Sequence, residues 1–85
     1  MKFIISFLLL VFFIPAHGDM LKNAISSDLR SEKNISRDVY RNPFQTLSFF
    51  GIKPSMKVIE LSPGSGWYTE ILSQYLYEEG ELIAA

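Results

Sequence analysis

Hydrophobic and polar positions follow four different rhythms along this chain. From Phe3 to Ile14 the run is apolar, broken only by Ser6. From Asp19 to Asn34 it is polar, with Met20, Leu21, Ala24 and Ile25 spaced for a helical turn or two before Ser26-Ser27-Asp28 interrupts them. That composition predicts a solvated leader over 19–34, with a frayed helix lying on the domain as the alternative. Phe44, Leu47 and Phe50, with Phe49 alongside, then mark one helical face. Asn42-Pro43 suits the start of that helix and Gly51 its end. This aromatic cluster is expected in the core. In the preceding segment, Ser36 stands at an N-cap position, and Arg37, Asp38 and Arg41 read as surface charges.

The last rhythm is the most informative. Val58, Ile59 and Leu61 make a short β-branched and aliphatic strand, with Glu60 near its end. Ser62-Pro63-Gly64-Ser65-Gly66 is a tight loop, because proline fixes one φ and two glycines admit backbone angles that other residues avoid. Tyr68, Ile71, Leu72, Tyr75 and Leu76 then recur at helical spacing, and Gly80 is placed to end that helix. Glu81 to Ala85 begins a second strand. Strand, glycine loop, helix and strand predict an α/β fold, with the opening of a parallel βαβ unit inside residues 35–85.

The apolar start changes where the folded product begins. A basic Met1-Lys2, an apolar middle and small residues at Ala16-His17-Gly18 match a secretory signal peptide over 1–18, cleaved between Gly18 and Asp19. A membrane anchor is the competing reading. Twelve helical residues cover only ~18 Å of a ~30 Å hydrocarbon core, which favours cleavage. The expected location is periplasmic or secreted, with membrane contact only during export. The 48% hydrophobic fraction is raised by this segment and does not mark a membrane protein.

Cleavage would leave a chain just under the roughly 70–80 residues at which a single core becomes self-sufficient. With no cysteine there is no disulfide framework and no thiolate metal site. A net charge of −1 lacks the basic excess of a nucleic-acid binder.

The loop carries the candidate chemistry. In a parallel βαβ unit it lies at the strand's carboxyl end, facing unpaired helix N–H groups and the positive end of the helix dipole. Glu60 is placed to accept hydrogen bonds from a ligand there, and Tyr40 and Arg41 are alternatives for residues lying over the loop's mouth. A tight turn that binds nothing is the competing reading. A Walker phosphate loop requires a lysine followed by Ser or Thr, but Trp67 and Tyr68 follow Gly66. A dinucleotide fingerprint starting at Gly64 meets Thr69 where its third glycine belongs.

An acidic residue ending the first strand just ahead of a glycine loop resembles motif I of the class I S-adenosylmethionine-dependent methyltransferases. Glu60 matches the acid, and Gly64 and Gly66 match the second and third glycines. Ser62 stands where the first glycine normally is. The wider wording YRNPFQTLSFFGIKPSMKVIELSPGSGWYTEIL is similar to exported bacterial methyltransferases, from about Arg37 to Ala85. The resemblance implies a Rossmann-like fold with S-adenosylmethionine as cofactor. It makes Glu60, Leu61, Ser62, Pro63, Gly64, Ser65, Gly66, Tyr68 and Thr69 cofactor-binding candidates, with Trp67 beside them. It also implies methyl transfer to an acceptor the residues do not identify, by displacement at the sulfonium methyl, where in-line positioning does most of the work. The family's sheet has many strands and a ribose-binding acid after strand two, whereas this sequence supplies strand one and the start of strand two. The expectation is therefore the N-terminal part of a methyltransferase domain, inactive by itself. The alternative is a small secreted, non-catalytic binding or interaction module (or a relic gene product) that keeps a nucleotide-like loop.

Overall fold

The computed structural model describes residues 17–85. Most of the expected signal segment thus lies outside the described residues. The chain forms α1 (His17–Ile25), α2 (Glu32–Ile35), α3 (Asp38–Arg41), α4 (Pro43–Phe49), β1 (Lys57–Glu60), α5 (Trp67–Tyr75) and β2 (Glu81–Ala84). It is an α/β arrangement in which β1 and β2 pair in parallel, Val58 opposite Leu82 and Glu60 opposite Ala84, with α5 as the connection. Among the described residues, no helix is long and apolar enough to cross a membrane.

Helix α5 is the centre of the packing. Trp67, Ile71, Leu72 and Tyr75 from it, and Leu76 just beyond, are buried with Leu21 and Ala24 of α1 and Leu47 of α4. Each large apolar side chain buried in this way contributes roughly 1.5–3 kcal/mol, so α5 holds the largest share of the hydrophobic stabilisation. The helical stripe expected from Tyr68 to Leu76 is present, with Tyr68 only half buried at its edge. Trp67 joins it as one of the largest fully buried side chains. Tyr75 extends its hydroxyl to donate to the Ile52 carbonyl at 3.2 Å, and burial raises the pKa of that phenol.

The stretch expected as a solvated leader is built into the core instead. Met20, Leu21, Ala24 and Ile25 do occupy one face of a helix, and that face packs on α5 and α4. Residues Ser26 to Ser31 were polar enough to suggest a linker, but their polarity goes into turns. Ser26 Oγ donates to the Lys22 carbonyl at 2.9 Å, and the Leu29 N–H donates to Ser27 Oγ at 3.2 Å.

Other local expectations divide. Pro43 occupies the first turn of α4, and Gly51 ends it at φ 70°. There Gly51 N–H donates to Ser48 O at 3.0 Å and Ile52 N–H to Leu47 O at 3.4 Å, the double bond of a Schellman motif. Asn42 precedes α4 at φ 48°, but its side chain makes no capping bond. Ser36 ends α2 and caps nothing downstream, its Oγ donating back to Lys33 O at 2.6 Å, while Ser31 is the N-cap of α2 and accepts from Asn34 N–H. The aromatic cluster splits: Phe44 packs against the core, while Phe49 and Phe50 are exposed and meet each other edge to face at 6.1 Å. The α4 face that buries Leu47 is narrower than the sequence suggested.

Gly80 does not end α5, which closes at Leu76. Its role is close approach: a Cβ there would lie 2.5 Å from the Pro54 carbonyl oxygen and 2.6 Å from that of Met56. The turn before β1 and the turn before β2 therefore touch backbone to backbone, and Glu81 N–H donates to Met56 O at 3.0 Å.

Candidate functional site

The loop after β1 has the geometry that the sequence pattern required. Ser62, Gly64 and Gly66 all take left-handed backbone angles, with φ of 52°, 61° and 85°. Ser62 thus adopts a conformation natural to glycine, at a cost of roughly 1–2 kcal/mol for an L-residue. Gly64 has no atom within 4 Å of where a Cβ would stand, so its φ is the constraint and the space beside it is open. Gly66 N–H donates to Pro63 O at 3.0 Å, closing the turn directly before α5. At the base of the loop, Ser62 N–H donates to Ala85 O at 3.1 Å and Ala85 N–H to Glu60 O at 2.8 Å, extending the strand pairing.

Beside the loop lies a cleft of about 520 Å³ lined by Glu60, the residues from Leu61 to Ser65, Trp67 and Tyr68. Arg37 and Arg41 complete its wall. The structure thus gathers most of the expected site residues. Thr69 is brought close in a different way, donating from Oγ1 to Glu60 Oε1. That bond leaves Glu60 Oε2 without a protein donor among the described residues. Gly66 and Tyr40 do not line the cleft, and Tyr40 is 84% exposed.

The residues that hold the loop in place are ones that the sequence pattern did not single out. Asn34, 2% exposed, donates from Nδ2 to Ser65 O at 3.1 Å and accepts from Ser65 Oγ at 3.3 Å. Arg37 Nη1 donates to the same Ser65 Oγ at 3.2 Å. Ser31 N–H donates to Glu70 Oε1 at 3.1 Å, tying the start of α2 to the first turn of α5.

Asp38 is not a surface charge. Arg30 grips it in a bidentate pair, Nη1 to Oδ2 at 2.7 Å and Nη2 to Oδ1 at 2.9 Å, and Trp67 Nε1 donates to Oδ1 at 2.9 Å. The Arg30 hydrogen bonds hold the Asp38 carboxyl below the usual carboxylate range, against partial burial that would raise it, and the Arg30 charge and the indole N–H add to the lowering. Arg30 also donates to the Ile25 carbonyl at 2.8 Å, so its side chain, fully buried, joins the end of α1 to α3 and α5. Paired planar groups of this kind are the strong form of a charge-assisted bond.

Arg37 and Arg41 lie one helical turn apart, flanking Asp38, a spacing that puts both on one side of α3. The Arg41 guanidinium stands 5.1 Å from the Trp67 ring centroid, and Trp67 and Tyr68 meet edge to face at 4.7 Å. Arg41 was an alternative ligand contact in the sequence and lies at the cleft; Arg37 was missed there, although its i, i+4 relation to Arg41 carried the signal. Among the described residues no group of three or more His, Asp and Glu is placed to hold a metal ion. The cleft can therefore bind and orient a ligand through one carboxylate, two guanidiniums, a few hydroxyls and exposed main chain.

No family model matches this chain, and no curated protein and no solved structure matches it either.

Proposed function

We propose that the chain binds S-adenosylmethionine at the Glu60–Gly66 loop, as the start of a Rossmann-like domain for methyl transfer to an acceptor. The observation that carries this reading is the alternation of left-handed residues at 62, 64 and 66 directly after an acidic strand end, beside an open cleft. Glu60 Oε2 is available for a ligand ammonium or hydroxyl, and the open side of Gly64 admits close approach to the main chain. The positive end of α5 faces the same space. When bound, the cofactor would supply an electrophilic methyl group. The part of this chain is to hold and orient it at the loop. Export through residues 1–18 belongs to the same proposal.

The test is calorimetric titration of the chain with S-adenosylmethionine. Saturable binding that weakens on Glu60→Ala supports the reading, and a folded chain that takes up no cofactor sinks it. A second reading, a secreted non-catalytic interaction module, is favoured by one observation: the buried cluster closes around α5 using elements of this chain alone. A single cooperative thermal transition without cofactor binding would select it.

A further inference from the structure

Arg37 and Arg41, like Lys22, Lys33 and Lys53, meet no carboxylate at ion-pair distance among the described residues, but these two alone of the five line the cleft beside the loop. The ion pairs among the described residues join Arg30 to Asp38 and Lys57 to Glu81. Asp38, the acid between the two arginines in sequence, forms its ion pair with Arg30 instead and accepts from Trp67. Arg37 spends one donor on the neutral Ser65 hydroxyl, and Arg41 lies against the Trp67 ring. Both guanidiniums line the cleft that also contains Glu60 and the left-handed loop.

That arrangement has a chemical meaning. A guanidinium presents planar paired donors that fit a carboxylate or a phosphate. Two of them on one wall, a turn apart, one anchored to Ser65 and the other lying over the Trp67 ring, can meet an anionic group together. The single acid of the cleft, Glu60, is tied to Thr69 on α5, on a different element from α3. The cleft is therefore bipolar, cationic along α3 and anionic at the end of β1.

We infer that Arg37 and Arg41 form an anion-recognising wall, and that the acceptor entering beside the cofactor is an acid carrying a carboxylate or phosphate group. This rests on the cofactor reading above and adds the substrate class to it.

Inorganic phosphate serves as the probe, titrated into the full chain with and without saturating S-adenosylmethionine and repeated on Arg37→Gln/Arg41→Gln. Phosphate is expected to bind in both conditions, and the double substitution to weaken it by about tenfold or more, as loss of charge-assisted bonds requires. The Arg37→Lys/Arg41→Lys variant should restore part of that affinity, with far-ultraviolet circular dichroism confirming that each variant folds. Exclusion of phosphate by the cofactor would overturn the assignment to the acceptor, because the anionic group would then be the cofactor's own. Equal phosphate affinity in the native and double-Gln chains would overturn the wall itself. Arginine-dependent phosphate binding by a chain that ignores S-adenosylmethionine would keep the wall and remove only the cofactor reading.

Discussion

The two ends of the β1–α5 turn are built in opposite ways. On the helix side Asn34 and Arg37 bond Ser65 of the loop, Ser31 and Asp38 bond Glu70 and Trp67 in the first turn of α5, and Arg30 anchors Asp38, all of them residues far from the loop in sequence. On the strand side the sheet stands open, with Ile59 59% exposed, Leu61 76% exposed and Ile83 also at the surface. Both regions flank the same cleft, yet one is fixed by directional bonds and the other by little beyond strand pairing. Hydrogen bonds and a buried ion pair define a single geometry, whereas an uncovered face leaves its apolar side chains in water. The precision of this site therefore comes from its helical side.

The sharpest way to break that contrast is to remove the carboxylate at its centre. Asp38→Ala leaves Arg30 buried without a counter-charge and Trp67 without an acceptor, and should cost about 3–5 kcal/mol by chemical denaturation. That is a large part of the stability of a small domain. A cost below about 1 kcal/mol would mean that the network is ornamental.

Acid titration probes the same bond by a gentler route. The Asp38 pKa is lowered in the folded chain, so the native state holds this proton less tightly than the unfolded chain does, where a carboxyl titrates near 3.9. The stabilisation is complete above that unfolded value and is lost as pH falls through the depressed folded one. Melting temperature should fall more steeply over that acid window in the native chain than in Asp38→Asn.

Asn34→Ala should come next, at about 1–3 kcal/mol, since it removes both hydrogen bonds that the buried Asn34 makes with Ser65. Amide exchange around Ser65 should quicken more than exchange in α1. The smallest effect belongs to the open side: Ile59→Lys should stay within about 0.5 kcal/mol. A larger loss would show that this sheet face is covered in solution, and the contrast between the regions would disappear.

How much of this was readable beforehand follows the same division. The β1–loop–α5–β2 order is encoded by local signals: β-branched residues, a Pro-Gly turn and a helical repeat within a few residues of one another. The left-handed angles at 64 and 66 follow from glycine, and Gly51 closed α4 as its position indicated. The helical clamp was hidden because its bonds span long separations, as from Asn34 to Ser65 or Asp38 to Trp67. No spacing rule connects such residues, and a charged or amide side chain in a polar stretch looks the same whether it faces water or a buried partner. Trp67 was hidden at the edge of a repeat that began one residue later. Gly80 looked like a helix terminator when the constraint on it was the backbone of Pro54 and Met56.

Ser62 shows that a backbone can hold a glycine-like angle without a glycine. It occupies the first-glycine position of the resembling motif and still takes the left-handed angle that a glycine would. Replacing it with glycine would relieve roughly 1–2 kcal/mol of steric cost, while the freer unfolded chain would give back about 0.4–1 kcal/mol. The second offsets about half of the first, so stability alone exerts only a modest pull on this position. In torsion angles the loop alternates without a break from Ser62 to Gly66, whatever residue letters it carries.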